Sequence, residues 1–188
     1  MDLDKAIKER HSVRNFAKTR KVDYKKIIEA IEAASKAPLA GNHSTLKFIL
    51  VSEKEKIMKL SDAAVQDFVS DASFIVVVCS DRKILDASYH ERGKMYSHQQ
   101  AGAAIENFLL KIVDLGLATC WIGAFSDDSV RNVLKIPENI TIEAMLPIGY
   151  ELGKTKQKLK PGLDDVLFFE EWKNKYMKPR TMVLGERM

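Results

Sequence analysis

Arg10, Ser12 and Arg14 stand two residues apart near the start of the chain, in the run Arg-His-Ser-Val-Arg. The run makes a poor helix and is expected to be extended. Alternate side chains of an extended segment share a face, so two guanidiniums and a hydroxyl would lie side by side. Planar guanidinium forks suit phosphates and carbonyl-rich rings. Such a face would bind a phosphorylated or polyol ligand. A solvated basic turn is the plainer reading of the same residues.

Three further runs could meet a ligand. In the loop Pro38–Ser44, Gly41 lets the backbone approach a ligand closely, and Asn42 offers both a donor and an acceptor, as an imide or ring edge requires. Gly123 interrupts an otherwise apolar run from Thr119 to Phe125, and a glycine inside a strand often marks close approach of a ligand or another backbone. Lys154, Lys156, Lys158 and Lys160 alternate along the chain and could meet a phosphate. Taken singly, these runs also read as a helix-to-strand turn, a bulge and a solvated charge run.

No competing catalytic set emerges. His11, His43, His90 and His98 are scattered without metal-binding spacing, and no metal site is expected. The nucleophile elbow of hydrolases is absent, as are the glycine-rich phosphate cradles of dinucleotide-binding and P-loop proteins. Cys79 and Cys120 sit in apolar runs and read as buried, inert thiols. If the chain is an enzyme, a cofactor carries its chemistry.

The elements that must position these residues follow from pattern. A chain of 188 residues, 46% hydrophobic and 30% charged, fits one globular domain. A net charge of +4 suits a modest anionic ligand and does not suggest a nucleic-acid-binding face. No run reaches the roughly 20 apolar residues of a membrane span, and no apolar signal core opens the chain, so a cytoplasmic location is expected. Helices are predicted over 3–10, capped by Asp2, and over 24–36, capped by Asp23. Strands are predicted over 46–52, 74–80, 119–125 and 141–148, the second buried on both faces. A polar helical stretch is expected over 53–71, and a helical excursion or lid over 82–98. The strongest helix is placed at 99–115, with Gly116 as its C-terminal cap, and Ser126 starts another that runs to about 134. The fold class is therefore α+β, a mixed sandwich around one central sheet.

The ordered set resembles the FMN-dependent nitroreductase family from about residue 3 to 170. The basic pair around Ser-Val-Arg comes first, then the Asn42 loop. Gly-Leu-x-x-Cys-Trp-Ile-Gly follows a small-residue helix, then Pro-Ile-Gly-Tyr, then a basic segment before Leu-Asp-Asp-Val. The resemblance implies a mainly antiparallel sheet flanked by helices in an intertwined homodimer. It implies a single FMN-binding domain over 1–172, with an extension over 173–188 that would wrap the partner chain. Arg10, His11, Ser12 and Arg14 resemble the segment holding the FMN phosphate, ribityl chain and pyrimidine edge. Asn42 resembles the asparagine near the isoalloxazine. Ile122, Gly123 and Ala124, with Pro147, Ile148 and Gly149, resemble the strands lying along the flavin, and Lys158 and Lys160 stand where the family holds phosphate. The implied reaction is ping-pong: NAD(P)H reduces the flavin at N5, and a nitroaromatic, quinone or similar acceptor reoxidises it, with no acid or base required of the protein. A dehalogenase or flavin-fragmenting relative, and a non-catalytic flavin-binding protein, are the alternatives. The sequence departs from the family pattern where Asn42 is followed by His-Ser-Thr-Leu-Lys-Phe in place of x-Gln-Pro-Trp-x-Phe, and where Gln100 replaces an aspartate.

Overall fold

Strands β1 (Leu46–Val51), β2 (Phe74–Ser80), β3 (Ala118–Thr119) and β4 (Thr141–Gly149) form one antiparallel sheet in the order β1-β2-β4-β3. The computed structural model describes residues 1–155 and 157–177. These fall in two compact units, Met1–Thr155 and the described residues after it. The first unit carries the sheet and helices α1 (Leu3–Glu9), α2 (Tyr24–Ala34), α3 (Lys54–Ala64), α4 (Lys83–Tyr89), α5 (Arg92–Asp114) and α6 (Asp127–Leu134); the second carries the single turn α7 (Leu163–Val166). The class is α+β, as the pattern predicts.

The sheet is covered on both faces, which is why β2 is apolar at every position through Cys79. Val76 and Val78 pack with Leu146 and Ile148 against Ile27 of α2 and Ile105, Phe108 and Ile112 of α5. Ile75, Val77 and Cys79 pack with Met145 against Ile57 and Leu60 of α3 and Val130 of α6. Each large apolar side chain buried in this way contributes about 1.5–3 kcal/mol. Between Val78 and Cys79 the register slips, so that Glu143 has no partner in β2.

Several boundaries move for identifiable reasons. Asp23 caps α2, accepting from the Lys25 N–H at 3.0 Å, whereas the Asp2 side chain makes no cap bond to α1. The helix expected over 53–71 stops at Ala64, because Val65 adopts a left-handed backbone with φ 53°; a short 3-10 turn follows over Asp67–Asp71. No glycine marks that stop. The stretch 82–98 holds α4 and the first turns of α5, with His90 at φ 49° making the turn between them. Its lack of a single period comes from that turn, and α5 starts at Arg92 rather than 99. At the other end, Gly116 at φ 70° completes a Schellman cap, with the Leu117 N–H donating to Ile112 and the Gly116 N–H to Val113. The strand expected over 119–125 is paired only at 118–119, plus one isolated bridge at Ile122.

Candidate active site

Helix α1 ends at Glu9, and Arg10, its C-cap, is already extended at φ −61° and ψ 120°. From there the chain lies beside β3 and the continuation of β4. The Val13 N–H donates to the Thr119 carbonyl at 3.0 Å, the Ala17 N–H to Tyr150 at 2.9 Å, and the Leu152 N–H to Asn15 at 2.9 Å. Val13 and Phe16 are buried, while Arg14 and Asn15 between them are exposed, so the segment does not keep a strict two-residue alternation. The Phe16 ring sits over Gly149, where an added Cβ would stand 2.8 Å from Phe16 Cδ1. That position therefore takes glycine because the ring anchoring the segment occupies the space of a side chain.

The anchored segment forms one wall of a cleft of about 210 Å³ between the end of α1, the C-terminal half of α5 and β3. Arg10, His11 and Ser12 line it, with Thr119, Trp121 and Glu151. Glu106 of α5 approaches Arg10 at Nε, 3.5 Å away, which leaves the terminal amino groups of the fork for a ligand. His11 lies 2.7 Å from the Glu9 carbonyl through Nδ1 and 3.2 Å from Glu151 Oε1 through Nε2. The Thr119 hydroxyl is buried and has no partner among the described residues. A buried hydroxyl left unpaired costs about 1–3 kcal/mol, so an oxygen-rich ligand in the cleft would relieve it.

Arg14 does not line the cleft. Its charge falls instead on Cys120: burial pushes that thiol up, while Arg14 and a hydrogen bond from Ser12 pull it partly back. Burial likewise pushes the Cys79 thiol up to about 11, against the Arg131 guanidinium and with Glu143. Both thiols stay protonated and are poor nucleophiles.

Asn42 occupies a different place. It ends a short 3-10 turn, Ala40–Asn42, in which Gly41 and Asn42 both have left-handed backbones, φ 55° and 60°. Gln100 of α5 braces this turn: its Oε1 accepts from the Ala40 N–H at 3.2 Å and its Nε2 donates to Thr45 Oγ1 at 3.4 Å. The Arg10 cleft meets α5 at Leu109 and Val113. Gln100 and Leu109 are nine residues apart, roughly 14 Å along the helix axis. One chain thus brings Arg10, His11 and Ser12 together and holds Asn42 elsewhere along α5.

Ile122 is buried and bridges Met145 through two 3.0 Å hydrogen bonds. Gly123 and Ala124 are exposed beyond it, and a Cβ added at Gly123 would meet nothing within 4 Å. Packing within this chain therefore does not require a glycine there. Pro147, Ile148 and Gly149 lie buried in β4, and Ile148 packs in the α2–α5 core with its backbone committed to the sheet. Lys158 and Lys160 are exposed residues of the second unit.

The Nitroreductase family profile matches residues 7–68 and 61–150, nearly all of the first unit. The chain belongs to the nitroreductase family. An Archaeoglobus fulgidus protein provisionally named an NADH dehydrogenase/NAD(P)H nitroreductase is 33% identical over 151 residues, 78% of this chain and 83% of that one. An FMN-dependent nitroreductase of Clostridium difficile R20291 superposes with a TM-score of 0.75 at 26% identity, covering 89% of this chain and 98% of that one. A nitroreductase family protein of Streptococcus pneumoniae TIGR4 shares the fold with a TM-score of 0.81 at 24% identity, covering 88% and 98%. In this chain the two departures from the family pattern touch: Thr45, in the altered Asn42 loop, and Gln100, in place of the aspartate, hydrogen-bond to each other. They are one local change rather than two. Sequence reading treats them separately, because they stand 55 positions apart. Glu106, Thr119 and Glu151 likewise escape notice in the sequence, since no local pattern ties them to Arg10.

Proposed function

We propose that this nitroreductase is an FMN-dependent oxidoreductase that passes reducing equivalents from NAD(P)H to a nitroaromatic, quinone or similar acceptor, as a homodimer. The observation that carries the reading is the cleft: Arg10, His11 and Ser12 converge in it beside the unpartnered Thr119 hydroxyl. Those four residues offer the charge and donors that a phosphate and the hydroxyls of a ribityl chain need. FMN, when bound, supplies the centre that accepts and gives up hydride. Arg10 would neutralise the phosphate, Ser12 and Thr119 would take ribityl or phosphate oxygens, and Arg14 would face the pyrimidine edge, where a cation favours negative charge on the ring. The open space over Gly123 leaves room for a flat ring along the strand. Lys158 and Lys160 are proposed as further phosphate ligands, on the family resemblance alone.

A second chain belongs in the proposal on the same geometry. A cleft of about 210 Å³ is smaller than the roughly 300–1,000 Å³ of typical ligand pockets, so it would take the phosphate end and leave the ring uncovered. Asn42 of the same chain is held away along α5, and a second copy could bring its own Asn42 loop to the ring. Among the described residues no helix is long and apolar enough to cross a membrane, and no three His, Cys, Asp or Glu side chains are grouped to hold a metal.

The test is the absorption spectrum of the purified protein, followed by anaerobic NADH or NADPH. Flavin bands that bleach support the oxidoreductase reading. Bands that persist turn the reading toward a flavin-binding protein without this reductant. A colourless protein that takes up no added FMN overturns it.

A further inference from the structure

Glu151 stands two residues beyond the end of β4 and lines the cleft. A single oxygen, Oε1, serves two groups: it accepts from the Thr155 backbone N–H at 2.8 Å and lies 3.2 Å from His11 Nε2. Its backbone is fixed as well, in the antiparallel bridge to Phe16. Burial pushes its carboxyl up, yet the bonds from Thr155 and His11 outweigh burial and hold it below the ordinary carboxylate value. On its other side the His11 ring lies 2.7 Å from the Glu9 carbonyl; since the carbonyl and the carboxylate both only accept, the ring donates to both together only as the imidazolium. It therefore spans the gap between the end of α1 and the end of β4, with Arg10 and Ser12 as its chain neighbours.

A carboxylate in a cleft meant for an anion is at first sight misplaced, because like charges repel. The two contacts resolve this. With its charge engaged by Thr155 and His11, the side chain orients a ring rather than confronting the ligand. We propose that Glu151 is a positioning residue: through His11 it locks the Arg10–Ser12 segment in the geometry that receives the phosphate. The inference rests on the FMN reading above.

The experiment is FMN titration of the full-length chain as wild type, E151A, E151Q, H11A and the E151A/H11A double variant, followed by flavin fluorescence, with melting of the FMN-free proteins alongside. E151A is expected to weaken FMN binding about tenfold, the scale of one ordinary hydrogen bond. E151Q keeps an acceptor at Oε1 and should stay within about twofold of wild type. The double variant should bind no more weakly than the weaker single variant, because both substitutions break one contact. E151A binding as tightly as wild type or more tightly, or losses that simply add in the double variant, would overturn the proposal. If E151A does not fold, H11A and E151Q decide: unchanged binding in H11A, or a tenfold loss in E151Q, refutes the brace. Wild-type protein that takes up no FMN overturns the reading of the site and the brace with it, whereas FMN-binding wild type with an indifferent E151A overturns the brace alone.

Discussion

Replacing Arg10 by alanine takes one guanidinium out of the cleft and leaves behind Glu106, a carboxylate already about half exposed. The loss of that surface pair costs little by itself, so the effect should appear in ligand binding. Arg10→Ala is expected to weaken FMN by at least about 1.5 kcal/mol, the lower end for hydrogen bonds to a charged group; a titration showing unchanged affinity would remove Arg10 from the phosphate site. Glu151 predicts a pH signature. Its folded carboxyl titrates below the ordinary 4.5, so its contribution is complete above that value and is lost as pH falls through the folded value. The stability advantage of wild type over Glu151→Gln should therefore shrink as pH falls below the ordinary carboxylate value. Urea midpoints between pH 3 and 7 measure this, and an advantage that grows toward low pH would contradict the assignment.

At the scale of elements, two contacts hold loops against helices and strands. Gln100, buried to 4% exposure, joins the Ala40 N–H to the Thr45 hydroxyl. Gln100→Ala would strand both groups and should cost about 1–3 kcal/mol in chemical denaturation; a loss near zero would show that water replaces the amide. Gly149 is the other case. A methyl there would push into Phe16, and overpacking of this kind costs about 1–3 kcal/mol. Gly149→Ala should lower the unfolding free energy from urea denaturation by that amount, and Phe16→Leu combined with it should recover part of the loss. If the pair recovers nothing, Phe16 is not the obstacle.

Across the whole molecule, apolar side chains are left facing outward at helical spacing: Leu3 with Ile7 on α1, and Tyr24 with Ile28 on α2. Gly102 of the small-residue run on α5 has nothing of its own chain within 4 Å of where a Cβ would stand. Exposed apolar stripes of this kind mark surfaces that meet another protein, and a second copy is the partner proposed. Light scattering should give twice the chain mass. If the flavin is shared between chains, FMN affinity should fall on dilution below the dimer dissociation constant. A monomer that binds FMN at every concentration would refute the shared site.

Local physics made much of this legible without a structure. Of the α2 face read through Ile27, Ile28, Ile31 and Ala34, Ile27 and Ala34 are buried and Ile31 packs against the core, whereas Ile28 faces outward; that face, the two-sided strand β2 and the Gly116 cap were legible because they depend on neighbours a few residues apart. The ordered motifs brought the family into view; spacing in one extended run singled out Arg10, Ser12 and Arg14, of which Arg10 and Ser12 line the cleft and Arg14 does not, while His11 came from the resemblance alone. The stop of α3 at Val65 was hidden, since a β-branched residue rarely takes a left-handed backbone and only tertiary packing puts it there. The shortening of the third strand had the same origin: β4 pairs with Ala118–Thr119 and then only with Ile122. The partners of the site residues were hidden for a different reason. Glu106 to Arg10, Glu151 to His11 and Gln100 to Thr45 are contacts over 96, 140 and 55 residues of sequence. No pattern along the chain encodes such distances; they arise when α5 crosses the sheet and the N-terminal segment closes on the end of β4.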